Sequence, residues 1–144
     1  MKILFIVQNS IGRGTYLRAF ELARGLRDLG NEMTILTSLP NQLKKTAILN
    51  SDGIRIIASS NLLPGPFQSG WDFYNLWART HIIKIFEFDL VHGFETRPTV
   101  IYPGLSLRKR GVPLYLDWAD WFGRGGSVEE RPNPILRASL RPIE

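Results

Sequence analysis

A three-layer α/β domain built on a parallel sheet is what this sequence predicts, on three observations. Ile3, Leu4, Phe5, Ile6 and Val7 form a continuous apolar run, which a strand covered on both faces requires. From Thr15 onward the apolar period becomes helical. The same strand-then-helix alternation then recurs, with further strands over Glu32–Thr37, Gly53–Ala58, Asp89–Phe94 and Val112–Asp117. Short connections and right-handed crossovers put these strands in the order 3-2-1-4-5, a doubly wound, Rossmann-like α/β/α sheet in one domain over residues 1–144.

Lys2–Gly30 is the opening unit: strand, glycine-containing turn, helix. Ala19, Leu22, Ala23, Leu26 and Leu29 are expected to face the core, and Arg18, Glu21, Arg24 and Asp28 the solvent. Thr15 is expected to cap the helix and Gly30 to stop it. Between strand and helix, Gly12 and Gly14 allow positive φ or close approach of a ligand to the backbone, and a helix start there favours phosphate or carboxylate. Glu32–Thr37 is rich in β-branched residues and ends at Ser38–Pro40, Gln42–Leu49 reads as a short helix or a loop, and Ser51-Asp52-Gly53 introduces the third strand. Asn61–Gly70, with Pro64, Gly65 and Pro66, is expected to be irregular. A helix follows over Trp71–Phe88, nearly encircled by Trp71, Phe73, Tyr74, Leu76, Trp77, Ile82, Ile83, Ile85, Phe86 and Phe88, with Arg79 and Lys84 along it. Either several of its sides are buried, or one faces an apolar ligand or a bilayer. Thr96–Gly111 is the next helix, Trp118–Pro132 a long loop, and Pro134–Leu140 begins another helix.

In such a sheet the ligand crevice opens at the carboxyl ends of the strands where the order reverses. Gln8–Gly14 and His92–Arg97 therefore face one crevice, with Asp117 and Asp120 on the same edge.

The 144 residues include 18 Lys and Arg against 13 Asp and Glu, an excess that suits solubility or anionic partners such as sugar nucleotides, lipid phosphates or a membrane surface. The basic residues are spread along the chain, which argues against nucleic acid. There is no cysteine, hence no disulfide framework and no thiolate metal site. The apolar run after Lys2 is too short for a signal-peptide core and no run approaches transmembrane length, so a cytoplasmic location is expected.

Several chemistries lack their residues. A dinucleotide fingerprint needs a third glycine where Leu17 stands and an acidic residue where Thr37 and Ser38 close the second strand. No phosphate-binding G-x-x-x-x-G-K-[ST] occurs, and no nucleophile elbow. His92, Glu95 and the distant His81 are too few for a metal, so neither metal nor cofactor is expected. His92 reads either as a structural hydrogen-bonding group or as a ligand-contacting one. Asp117-Trp118-Ala119-Asp120-Trp121-Phe122 sets carboxylates beside aromatic rings, a combination that suits sugars, whose hydroxyls need acceptors and whose C–H faces stack on rings. Asp120 reads equally as a cap or turn residue.

The run from Gly12-Arg13-Gly14-Thr15-Tyr16 through Leu22-Ala23 to Leu29-Gly30-Asn31-Glu32-Met33-Thr34-Ile35-Leu36-Thr37 resembles the first half of GT-B glycosyltransferases of the family 4 type. Phe88-Asp89-Leu90-Val91-His92 resembles their D-[VI]-[VI]-H strand, and Ala119-Asp120-Trp121-Phe122 their later aspartate-containing turn. Asn31 stands where those proteins carry histidine, and Ala119 where they carry histidine or arginine. The resemblance implies the N-terminal, acceptor-side domain of a retaining enzyme that moves a sugar from a nucleotide-sugar donor to a hydroxyl of a sugar or lipid-linked acceptor. It implies His92 and Asp120 at the reacting sugars, and Gly12, Arg13, Gly14, Glu95, Asp117 and Trp118 in contact with substrates. Such enzymes hold the donor on a second domain; since the chain ends at Glu144 before a sixth strand, that C-terminal domain is expected as its missing partner. The expected location is then cytoplasmic, with peripheral contact at the inner face of the membrane. The rival reading is a non-catalytic Rossmann-like module that docks a separate catalytic chain or a membrane.

Overall fold

The computed structural model describes residues 1–43, 46–62, 70–118 and 134. Among them run β1 (Lys2–Ser10), α1 (Thr15–Asp28), β2 (Glu32–Leu43), β3 (Ala47–Ser51), β4 (Ile54–Asn61), α2 (Phe73–Ile82), β5 (Leu90–Phe94), α3 (Pro98–Arg108) and β6 (Leu114–Asp117). The described strands form one sheet in the order β3-β4-β2-β1-β5-β6. All neighbours are parallel except β3 and β4. Without β3, this is the predicted doubly wound order.

The continuous apolar run of β1 is explained by the two core clusters it serves. Ile3, Phe5 and Val7 pack with Met33, Ile35, Ile54, Ile56 and Phe94 beneath Tyr16, Ala19 and Ala23 of α1. Leu4 and Ile6 pack on the opposite face with Leu36, Ile57, Val91, Ile83, Val100 and Leu107, under α2 and α3. Alternate side chains on a strand point to opposite faces, so only an unbroken apolar run fills both layers.

Four local expectations are corrected. In the stretch read as a short helix or a loop over Gln42–Leu49, Gln42 and Leu43 end β2 and Ala47–Leu49 begin β3. Ser51 pairs with Ile54 across a two-residue turn in which Asp52 has φ 51 and Gly53 has φ 71, the left-handed pair a tight hairpin needs. The buried stripe of α1 runs through Tyr16, Ala19 and Ala23, while Leu22 and Leu29 are exposed, because the small alanines let the helix axis approach the sheet. Thr15 is the first helical residue rather than the cap, and its N–H donates to Asn9 Oδ1 at 3.2 Å. The helix predicted over Trp71–Phe88 ends at Ile82 and tightens into a 3-10 turn, Ile83–Ile85. Gly30 ends α1 as expected: its N–H donates to Arg27 O at 2.8 Å and that of Asn31 to Leu26 O at 3.3 Å. The reading of Asn61–Gly70 as irregular falls mostly outside the described residues, as do those of the Trp118–Pro132 loop and the Pro134–Leu140 helix.

Candidate functional site

Because β1 lies between β2 and β5, the point where the strand order reverses falls at the carboxyl ends of β1 and β5, which run side by side with Val7 opposite Phe94. The β1–α1 turn forms one wall of this edge. It is tied to β2 by Ile11 N–H to Ser38 O at 3.0 Å and by the Thr37 hydroxyl to Asn9 O at 2.6 Å. Gly12, Arg13 and Gly14 project from it into solvent, and both glycines have positive φ, 78 and 49. A Cβ at Gly12 would meet nothing within 4 Å, whereas one at Gly14 would lie 3.0 Å from the Asn9 side chain that holds Thr15 N–H.

The other wall is the end of β5. Glu95 is 4% exposed, holds φ 78, and donates its N–H to Asp117 O at 2.7 Å. A buried non-glycine residue in the left-handed region costs energy that its surroundings must supply, a state concentrated at functional sites. His92 lies three residues earlier, within β5, on the α1 face. Its ring stacks on Phe94 at 4.4 Å and meets the edge of Phe5 at 5.2 Å. Its Nε2 is 3.9 Å from Asp117 Oδ2, which itself pairs with Arg18 at 2.8 Å. Arg18 also lies over the Phe94 ring, 5.3 Å from its centre. Burial pushes the His92 pKa below its ordinary value of 6.5; Asp117 opposes that shift and Arg18 adds to it. The imidazole is thus neutral at neutral pH, able to donate from one nitrogen and accept at the other. Among the expected site residues, the structure brings His92 and Asp117 together with Arg18, and sets Glu95 beside them through its backbone. Trp118 is 58% exposed just beyond β6, and Asp120 lies outside the described residues.

Sequence reasoning missed a buried polar network beneath this edge. Arg79 of α2 is fully buried, donating from Nη1 to Val7 O at 2.8 Å and Thr99 O at 3.0 Å, from Nη2 to Ser38 Oγ at 2.9 Å, and from Nε to Ser59 Oγ at 3.0 Å. Asn75, one turn earlier, donates to Ser59 Oγ at 2.8 Å, Ser60 O at 2.7 Å and Asn61 Oδ1 at 2.8 Å. Asp72 caps the helix, accepting from Asn75 N–H at 3.0 Å and from Leu62 N–H at 2.7 Å. Burial pulls the Arg79 pKa down to about 9, with Asp72 opposing, so the side chain remains a cation at neutral pH. One guanidinium thereby ties together the carboxyl ends of β1, β2 and β4 and the first turn of α3. Its signal in the sequence was the spacing of Asp72, Asn75 and Arg79, three polar residues on one side of an otherwise apolar helix.

A further group was also missed. A Cβ at Gly70 would lie 2.5 Å from Arg97 Cβ and 3.0 Å from Gln8 Oε1, so only glycine fits between the end of β1 and the start of α3. Arg97 lies over the Trp71 ring, 5.5 Å from its centre. Gln8 Oε1 and Thr99 Oγ1 are buried without a hydrogen-bond partner among the described residues. The edge therefore carries polar atoms from β1 and α3 as well as the glycine turn.

No family model matches the sequence, and no curated protein matches it either. Among solved structures, the chain is similar to sucrose-phosphate synthase from Thermosynechococcus elongatus, with a TM-score of 0.53 at 14% identity over 82% of this chain. The fold is GT-B-like. The likeness is one of fold, and the match takes in 32% of the neighbour's chain.

Proposed function

We propose that this chain is the acceptor-side domain of a retaining, family 4-type glycosyltransferase that moves a sugar from a nucleotide sugar to a hydroxyl. The observation that carries the reading is the exposed Gly12-Arg13-Gly14 turn at the reversal point of a GT-B-like sheet, facing the end of β5 where Glu95 is held in a left-handed conformation. In this scheme the turn offers unhindered backbone to a substrate and Arg13 offers a cation. Glu95, Asp117 and Trp118 supply acceptors and a stacking ring, and His92 and Asp120 hydrogen-bond the reacting sugars. The donor nucleotide is held by a second domain.

The division of labour is testable by calorimetry. Residues 1–144 alone are expected to bind UDP- and GDP-sugars weakly and to transfer no sugar, and transfer should appear only when a donor-binding domain is supplied in cis or in trans. Micromolar affinity of these residues alone for a nucleotide sugar would place the donor site here and overturn the assignment. In an active assembly, removal of a hydrogen bond to a charged or reacting group by Glu95→Gln is expected to cost roughly 10- to 150-fold in turnover.

A further inference from the structure

Helices α2 and α3 lie side by side over one face of the sheet, and their outer surface is the part of the described molecule least suited to water. Phe73 is 76% exposed, Trp77 56%, Tyr102 56%, and Ile85, in the turn after α2, 73%. Between the helices runs an open groove of about 730 Å³, lined by Leu76, Thr80, Tyr102, Leu105, Arg108 and Lys109. Trp77 is pre-arranged by its neighbours, stacked on Tyr74 at 5.8 Å and packed on His81 at 4.5 Å.

The charge on this face has one sign. No Asp or Glu occurs between Phe73 and Phe86 or between Thr96 and Leu116, whereas Lys84, Arg108, Lys109 and Arg110 are all exposed. None of these four makes a salt bridge among the described residues. On the opposite layer, by contrast, the cations of α1 are paired: Arg24 with Glu21 at 3.0 Å and Arg18 with Asp117 at 2.8 Å. Arg79 does not contribute to the outer face, since it is consumed by the buried network.

We infer that the α2–α3 face docks on a membrane surface containing anionic phospholipid. Exposed Phe and Ile side chains enter the boundary of the acyl chains, Trp and Tyr rings sit at the level of the headgroups, and Lys and Arg meet the lipid phosphates from above. Charge complementarity selects this occupant. A water-facing surface does not need four large apolar side chains, and a second copy of the same face would set its uncompensated cations against each other. Among the described residues no helix is long and apolar enough to cross a membrane, so the contact is with its surface. The inference does not depend on sugar transfer.

Co-sedimentation of the chain with vesicles tests it. Pelleting is expected with vesicles containing phosphatidylglycerol at low salt, but not with phosphatidylcholine alone, and should weaken as salt is raised. Each surface cation contributes about fivefold in partitioning, so Arg108→Gln with Lys109→Gln is expected to reduce it about thirtyfold. Trp77→Ser should also release the protein, with an unchanged far-ultraviolet circular dichroism spectrum because the ring is exposed. Brominated lipid should quench tryptophan fluorescence less in Trp77→Phe than in the parent. Absence of pelleting at low salt overturns the inference, as does equal, salt-insensitive pelleting with phosphatidylcholine. So does a dimer, seen by sedimentation equilibrium, that Trp77→Ser dissociates; that result assigns the face to a second copy.

Discussion

At Gly14 the chain combines φ 49 with an Asn9 side chain 3.0 Å from where a Cβ would sit, and that asparagine also holds the first helical N–H. Gly12 has φ 78 but open space around it. Both positions penalise a side chain by left-handed strain of about 1–2 kcal/mol, and only Gly14 adds a displaced helix contact. Gly14→Ala is therefore expected to lower the unfolding midpoint in denaturant more than Gly12→Ala does, and Gly12→Ala is the cleaner probe of ligand approach. His92 makes a second residue-scale prediction. Burial depresses its folded pKa below 6.5, so the unfolded chain binds the proton more readily. Stability from this group is complete above the unfolded value and declines as pH falls below it toward the folded pKa. His92→Gln should flatten the pH dependence of the melting temperature between about pH 7 and pH 5, and an unchanged slope would show that another group sets it. Neither effect could be read from the sequence: Gly14 and Gly12 look alike there, and the rings of Phe5 and Phe94 reach His92 only through strand pairing.

At the scale of an element, α2 serves as a polar pin as well as a packing helix. Its guanidinium is held by four neutral oxygens from three strands and α3, and Arg79→Met would take this donor from all four, leaving Ser59 and Ser38 only their bonds to Asn75 and Thr37. A buried oxygen left without its donor costs about 1–3 kcal/mol, so Arg79→Met should unfold at lower denaturant than the parent. Arg79→Lys should recover only part, because an ammonium cannot span four acceptors set for a planar fork. Should Arg79→Met prove as stable as the parent, the network contributes specificity rather than stability. The apolar composition of Trp71–Phe88 hid this role, since ten large apolar residues dominate its pattern and Arg79 reads as a surface cation among them. Asp72 was equally hidden, although an aspartate three residues before Asn75 is the spacing of a helix cap.

Over the whole molecule, the sheet sets a gradient of protection. β1 is flanked on both sides and buried on both faces, whereas among the described residues β3 pairs with β4 alone and has Ile48 and Leu49 exposed. Hydrogen exchange is expected to be slowest for the amides of β1 and the paired part of β2, and faster by orders of magnitude in β3. Comparable protection in β3 would mean that another segment covers this edge. The same layering separates two surfaces: the glycine-turn edge at the strand ends, and the aromatic, cationic face across α2 and α3.

The order of the strands, the central place of β1, the glycine turn and the end of α1 at Gly30 were legible in the sequence, because each follows from a local pattern of burial, period or backbone freedom. β3 escaped because it is short, exposed and paired on one side, leaving little apolar alternation to read; only its pairing with β4 across Asp52-Gly53 makes it a strand. The candidate site was legible as a place rather than as a set of contacts. Gly12, Gly14 and Glu95 could be assigned to one edge from topology alone. The contacts of His92 with Asp117, and the threading of Arg79 through Val7, Ser38, Ser59 and Thr99, join residues far apart in the chain. Local patterns carry no record of which distant oxygen a buried donor will meet, so tertiary packing alone decided whether Arg79 faced lipid or core.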